Sequence, residues 1–147
     1  MRVLIAFEDS LALQDAFTAL GHDAYSCGMI DMLEAIADGW DLIIANPPST
    51  HTAVSGARWF KEKEQEQEDA IELVRSIMAA NCPRICIMNP VSIISSKIRK
   101  PEQIIQPRQF GEEGTKKTCL WLKGLPRLNP WGDSLAQSMA TQWGVLK

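Results

Sequence analysis

The chain has 147 residues, 46% of them hydrophobic and 22% charged, an ordinary globular balance with room for one domain around one core. Its net charge of −3, from 15 basic and 18 acidic residues, excludes a domain that grips nucleic acid by overall charge and leaves only a local patch for that purpose. Four widely spaced cysteines and two distant histidines give no metal-ligand spacing and no disulfide framework. The apolar run at residues 3–6 is too short for a secretion signal or a membrane span, so the expected setting is the cytosol, with reduced thiols and no membrane partner.

In chain order, RVLIAF reads as a strand buried on both faces. Leu11, Leu13, Ala16, Phe17 and Leu20 then recur at helical spacing, with Asp9 or Ser10 as a cap and Gly21 as a stop. HDAYSC predicts a second strand, MIDMLEAIADG a second helix ending at Gly39, and WDLIIA a third strand. After the loop NPPSTHTAVSGARWF comes a long helix whose apolar stripe is Ile71, Val74, Ile77 and Met78. PRICIM predicts a fourth strand that ends at Asn89-Pro90. The stretch from Val91 to Gly114 is rich in turn residues and reads as irregular. A fifth strand is expected at Thr118–Leu122 and a last helix in DSLAQSMATQW, capped by Asp133 or Ser134. Strand and helix alternate, which predicts a mostly parallel sheet with right-handed crossovers.

In open α/β sheets ligands sit outside the carboxyl ends of the strands. Three such ends carry polar residues: Glu8-Asp9-Ser10, Asn46-Pro47-Pro48-Ser49 and Asn89-Pro90. Two prolines after a strand make a rigid step that cannot extend the sheet. Asn46 is thereby held at the edge with its amide free to bond a planar polar group, such as a nucleobase. The second half also holds the basic residues that a polyanion would need, Lys97, Arg99, Lys100, Arg108, Lys116, Lys117, Lys123 and Arg127, although an ordinary solvated surface explains them equally well. Trp121 and Trp143 are expected in the core. Trp59 and Trp131 are further aromatic candidates for base stacking.

The step N-P-P plus a small residue, at a strand end in a nucleotide-type sheet, resembles the catalytic loop of S-adenosylmethionine-dependent DNA methyltransferases. The stretches MRVLIAFEDS, DAFTALGHDAYSC, DGWDLIIANPPST, VSGARWF, PRICIMNPVS, PEQIIQPRQFG, TKKTCLWLKGLP and LAQSMATQWG are similar to one branch, the small phage-encoded proteins of DNA cytosine methyltransferase type. The likeness runs over nearly the whole chain. It implies an α/β three-layer sandwich of Rossmann-like methyltransferase type, in a bacterial host's cytoplasm. The cofactor would be S-adenosylmethionine, bound near Glu8, Asp9, Ser10 and Asn46. The partner would be DNA, and the reacting loop Asn46, Pro47, Pro48 and Ser49, with Asn89.

The departures from that pattern fall on functional positions. Transfer to cytosine C5 needs a thiolate, and Ser49 stands where the family has cysteine. Met88 stands where the family has the glutamate that bonds the base. Leu11 replaces a glycine of the cofactor turn. Gly28 follows the second strand where an acid binds the ribose, with Asp31 nearby. The segment between the second and third strands is short, so the sheet is expected to be one strand smaller than in the family. C5 chemistry is therefore not expected. Two readings stay open: a binding module on a methyltransferase scaffold, and an amino-methyltransferase, whose Asn-Pro-Pro loop needs no thiol.

Overall fold

The computed structural model describes residues 1–8, 10–49, 64–130 and 133–145. The elements run β1 (Arg2–Ala6), α1 (Ala12–Ala19), β2 (Asp23–Cys27), α2 (Met29–Ala35), β3 (Leu42–Ala45), α3 (Glu64–Met78) and β4 (Ile85–Pro90). They continue with α4 (Ile94–Lys97), β5 (Gln103–Ile105), a 3-10 turn (Pro107–Phe110), β6 (Thr118–Lys123) and α5 (Leu135–Trp143). One six-stranded sheet has the order β2-β1-β3-β4-β6-β5.

The first four strands pair in parallel, while β6 runs antiparallel to both β4 and β5. The sheet is thus mixed, with β6 the one reversed strand among those described.

Strand alternation divides the apolar residues between two cores. Val3 and Ile5, Leu42 and Ile44, Cys86 and Met88, and Leu120 and Leu122 face α1 and α5, where Phe17, Met139 and Trp143 meet them. The alternate residues Leu4 and Ala6, Ile43 and Ala45, Ile85 and Ile87, and Cys119 and Trp121 face α2, α3 and α4. Helices on both faces explain why these strands read as unbroken apolar runs. They make three layers around the sheet.

One expectation needs correction. Gln103–Ile105 forms a sixth strand inside the stretch read as irregular, with α4 and the 3-10 turn on either side of it. The fourth strand ends at the Asn89-Pro90 step as expected, with Pro90 as its last residue, opposite Thr118. Pro90 lacks an N–H, and β4 tolerates it as its terminal residue. In α3, Ile71, Val74 and Ile77 are buried as expected, and Met78 is half-buried beside them. Trp121 and Trp143 are both buried, and their indole N–H groups donate to Arg99 O and Pro126 O.

Candidate functional site

Because β1, β3 and β4 are parallel, their polar carboxyl ends share one edge of the sheet. The strand order changes direction between β1 and β3: β2 lies on one side and β4 on the other. That is the place at which open α/β sheets leave a crevice.

Three hollows of about 230, 240 and 260 Å3 lie along the edge, and Glu8 lines all of them. The first is walled by Ser10, Leu13 and Met88 with Glu112, Leu135 and Met139. The second holds Asn46, Met88, Asn89 and Pro90 with Lys116 and Thr118. The third lies over the ends of β1 and β2, between Phe7, Ser26, Cys27 and Gly28. Glu8 is half-buried at their junction.

The loop after β3 is anchored from two sides. The Asn46 N–H donates to Ala6 O at 2.9 Å, extending the β1–β3 pairing. Asn89 Nδ2 donates to Pro47 O at 2.9 Å and to Met88 O at 2.8 Å. Both acceptors are carbonyls, so the orientation of the Asn89 amide is determined. Its Oδ1 then faces the other way, buried and without a protein partner. A buried acceptor left unpaired is costly, and one lining a cavity calls for a donor from a ligand or solvent. Pro47 is buried, Pro48 is exposed and Ser49 is half-buried.

The turn into α1 differs in detail from the expected cofactor turn. Ser10 Oγ accepts from the Ala12 N–H at 3.1 Å, just ahead of the helix N-cap, Leu11, which makes no side-chain capping bond. Leu11 has φ −82 and an exposed side chain, so glycine is not required there by conformation. The left-handed residue of this turn is Phe7, with φ 63. At the far side, the α5 start is capped twice: Ser134 Oγ accepts from Gln137 N–H and Glu112 from Leu135 N–H.

No cysteine replaces the thiol that Ser49 lacks. Cys86 is fully buried in β4, and burial pushes its thiol pKa far up. Burial also raises the thiol pKa of Cys82 and Cys119. Cys27 lines the hollow over β2, where burial and then the Asp31 carboxylate raise its pKa. A raised pKa is the reverse of nucleophile activation. Asp31 lies in the first turn of α2, shortly after the end of β2. Among the described residues no group of three or more His, Cys, Asp or Glu is placed to hold a metal ion. None of the helices described is long and apolar enough to cross a membrane.

Of the residues singled out in the sequence, Glu8, Ser10, Asn46 and Asn89 meet at this edge. Asp9, Trp59 and Trp131 lie outside the described residues. The basic residues do not form one patch. Lys116 is at the cleft, whereas Lys123 is at the opposite edge, bonded to Ala80 O, and Arg99 is paired with Glu102 and bonded to Leu122 O. The contributions of Glu112, Thr118 and Leu135 depend on the reversed β6 and the packing of α5, and their only sequence signal was proximity to predicted element ends. No family model matches the chain, and a search of curated proteins finds no match either.

Proposed function

We propose that this chain binds an adenosyl ligand of the S-adenosylmethionine class on a Rossmann-like methyltransferase framework one strand short, and that it lacks methyl transfer to cytosine C5. The observation that carries the reading is Glu8 at the junction of three hollows, beside the gap between β1 and β3. A carboxylate there offers acceptors for ribose hydroxyls or an ammonium, and its charge suits a sulfonium. Asp31, in the first turn of α2, adds a second acidic residue near the β2 end. When bound, such a ligand would supply an electrophilic methyl group. Nothing at Ser49 or Met88 supplies the thiolate and the acid that C5 transfer requires.

A second reading is amino-methyl transfer to a DNA base, and the unpaired Asn89 Oδ1 favours it. An exocyclic amine donates hydrogen bonds, and Asn46 and Asn89 line the same hollow. Their amide oxygens would orient the amine nitrogen and need no covalent intermediate. Lys116, at the rim, would meet a phosphate.

Calorimetric titration with S-adenosylmethionine and with its demethylated product tests the first reading. Binding in the micromolar range is expected, weakened by about 10-fold or more in Glu8→Ala, a loss of about 1.4 kcal/mol. Absence of heat at about 1 mM ligand, a Kd that corresponds to only about −4 kcal/mol, would sink it. Incubation with methyl-labelled S-adenosylmethionine and DNA tests the second: base-linked label that disappears in Asn46→Ala would support it, and no label would leave binding alone.

A further inference from the structure

Phe7 breaks the alternation of β1. Val3 and Ile5 face α1 and α5, while Leu4 and Ala6 face α2 and α3. Regular continuation would turn Phe7 toward α1 and Glu8 toward α2 and α3. The structure has the opposite arrangement. Phe7 packs against the core on the α2 and α3 side, the same side as Ala6. Glu8 lines a hollow with Leu13, Met88 and Met139, which belong to the α1 and α5 side.

The cause is a single backbone torsion. Phe7 has φ 63, in the left-handed region that a bulky L residue rarely adopts. It is the one non-glycine residue with positive φ among those described. The Phe7 N–H still donates to Cys27 O at 3.0 Å, so the β1–β2 ladder is complete up to the reversal. Packing of the ring on one side and this hydrogen bond on the other hold the disfavoured torsion. Strained backbone of this kind persists where the surroundings over-determine it, and it clusters at functional sites.

We infer that Phe7 is a positioning residue, whose left-handed backbone shifts the strand's alternation by one and delivers the Glu8 carboxylate into the cleft. The inference rests on the adenosyl-binding reading and adds a part to it: ligand affinity depends on a torsion, beyond the chemistry of Glu8 itself. It also separates two roles of Phe7, ring and backbone, which substitutions can distinguish. Asparagine tolerates the left-handed region and lacks the ring; valine lacks the ring and, being β-branched, avoids that region.

The experiment is calorimetric titration of the demethylated cofactor product into the full chain and into Phe7→Asn and Phe7→Val, with thermal midpoints for each. Phe7→Val should bind at least about 10-fold more weakly than Phe7→Asn, although its thermal midpoint is no lower, because the relaxed strand relieves strain while moving Glu8. If Phe7→Val does not fold, Phe7→Thr, likewise β-branched, provides the same contrast. Equal affinity in the asparagine and β-branched variants would overturn the inference while leaving the adenosyl reading intact. No heat with the unsubstituted chain would overturn both, which distinguishes the two failures.

Discussion

The two edges of the sheet differ in how their polar and aromatic groups are satisfied. At the amino edge the large polar and aromatic groups Arg2, Trp40 and Lys123 are engaged. The Arg2 guanidinium donates to Asp38 O and Gly39 O and lies 4.4 Å from the Trp40 ring centroid. The Arg2 N–H donates to Asp41, the Trp40 indole to Ala35 O, and Lys123 to Ala80 O. Tyr25 packs edge-on against Trp40. At the carboxyl edge an aromatic residue is held in a left-handed torsion and a buried amide oxygen has no protein partner. Polar satisfaction is the rule in folded proteins, and departures from it concentrate where a ligand completes the structure. The amino edge therefore reads as the stabilising end of the molecule and the carboxyl edge as the end that retains strain for use.

The largest effect expected from this contrast is at the amino edge. Trp40 is buried, and Trp40→Ala removes its packing and the support of Arg2 together. A loss of about 3–5 kcal/mol is expected in urea unfolding, with ligand affinity of the remaining folded protein unchanged. A comparable fall in affinity would show that the two edges are coupled.

Gly124 gives the next effect. Its φ is +66, and a Cβ built there would approach Pro83 O to 2.2 Å. Backbone on backbone cannot give way easily, so Gly124→Ala should cost at least about 2 kcal/mol, again without effect at the cleft. An alanine variant as stable as the parent in the same unfolding assay would show that this end of the sheet is not tightly built.

At the carboxyl edge the sign differs. Asn89→Leu removes the unpaired oxygen and with it the Asn89 bond to Pro47 O. These changes oppose each other, so stability should move by less than about 1.5 kcal/mol. Any amine transfer should be abolished. A large destabilisation with ligand binding intact would make Asn89 a structural residue and weaken the contrast between edges.

How much of this was readable beforehand follows from the same physics. The strands β1, β3 and β4 were legible because both of their faces are buried, which forces continuous apolar runs. Glu8, Asn46 and Asn89 were legible as a group because parallel strands bring their carboxyl ends together. The strand β5 was not. It has three residues between Pro101 and Pro107, and buried Gln103 interrupts its apolar character. That glutamine both donates to Leu128 O and accepts from Leu128 N–H, behaving as a backbone unit. The reversal of β6 was equally hidden, since direction is set by the connection and not by residue pattern. Phe7 was beyond reach for a different reason: nothing about phenylalanine favours a left-handed torsion, and only its three-dimensional surroundings impose one.

The smallest effect returns to the amino edge and concerns pH. His22 is half-buried beside the start of β2. Its Nδ1 lies 3.0 Å from the Met1 amino group, and its ring packs edge-on against Phe17. Burial, and then the positive charge of that amino group, lower its pKa below the ordinary 6.5, against a weaker opposing hydrogen bond from the ring to the Gly144 backbone. The unfolded chain therefore binds the His22 proton more readily than the folded one. Its contribution to stability is complete above pH 6.5 and falls as pH drops from there through the lowered folded value. Urea midpoints should decline between about pH 7.5 and about pH 5.5, and His22→Gln should flatten the part of that slope due to this residue. An unchanged slope in the variant would assign the pH response to other groups. If the slope flattens while cleft affinity follows the same curve as in the parent, the proton acts at the amino edge alone, and the division of labour between the two edges extends to electrostatics.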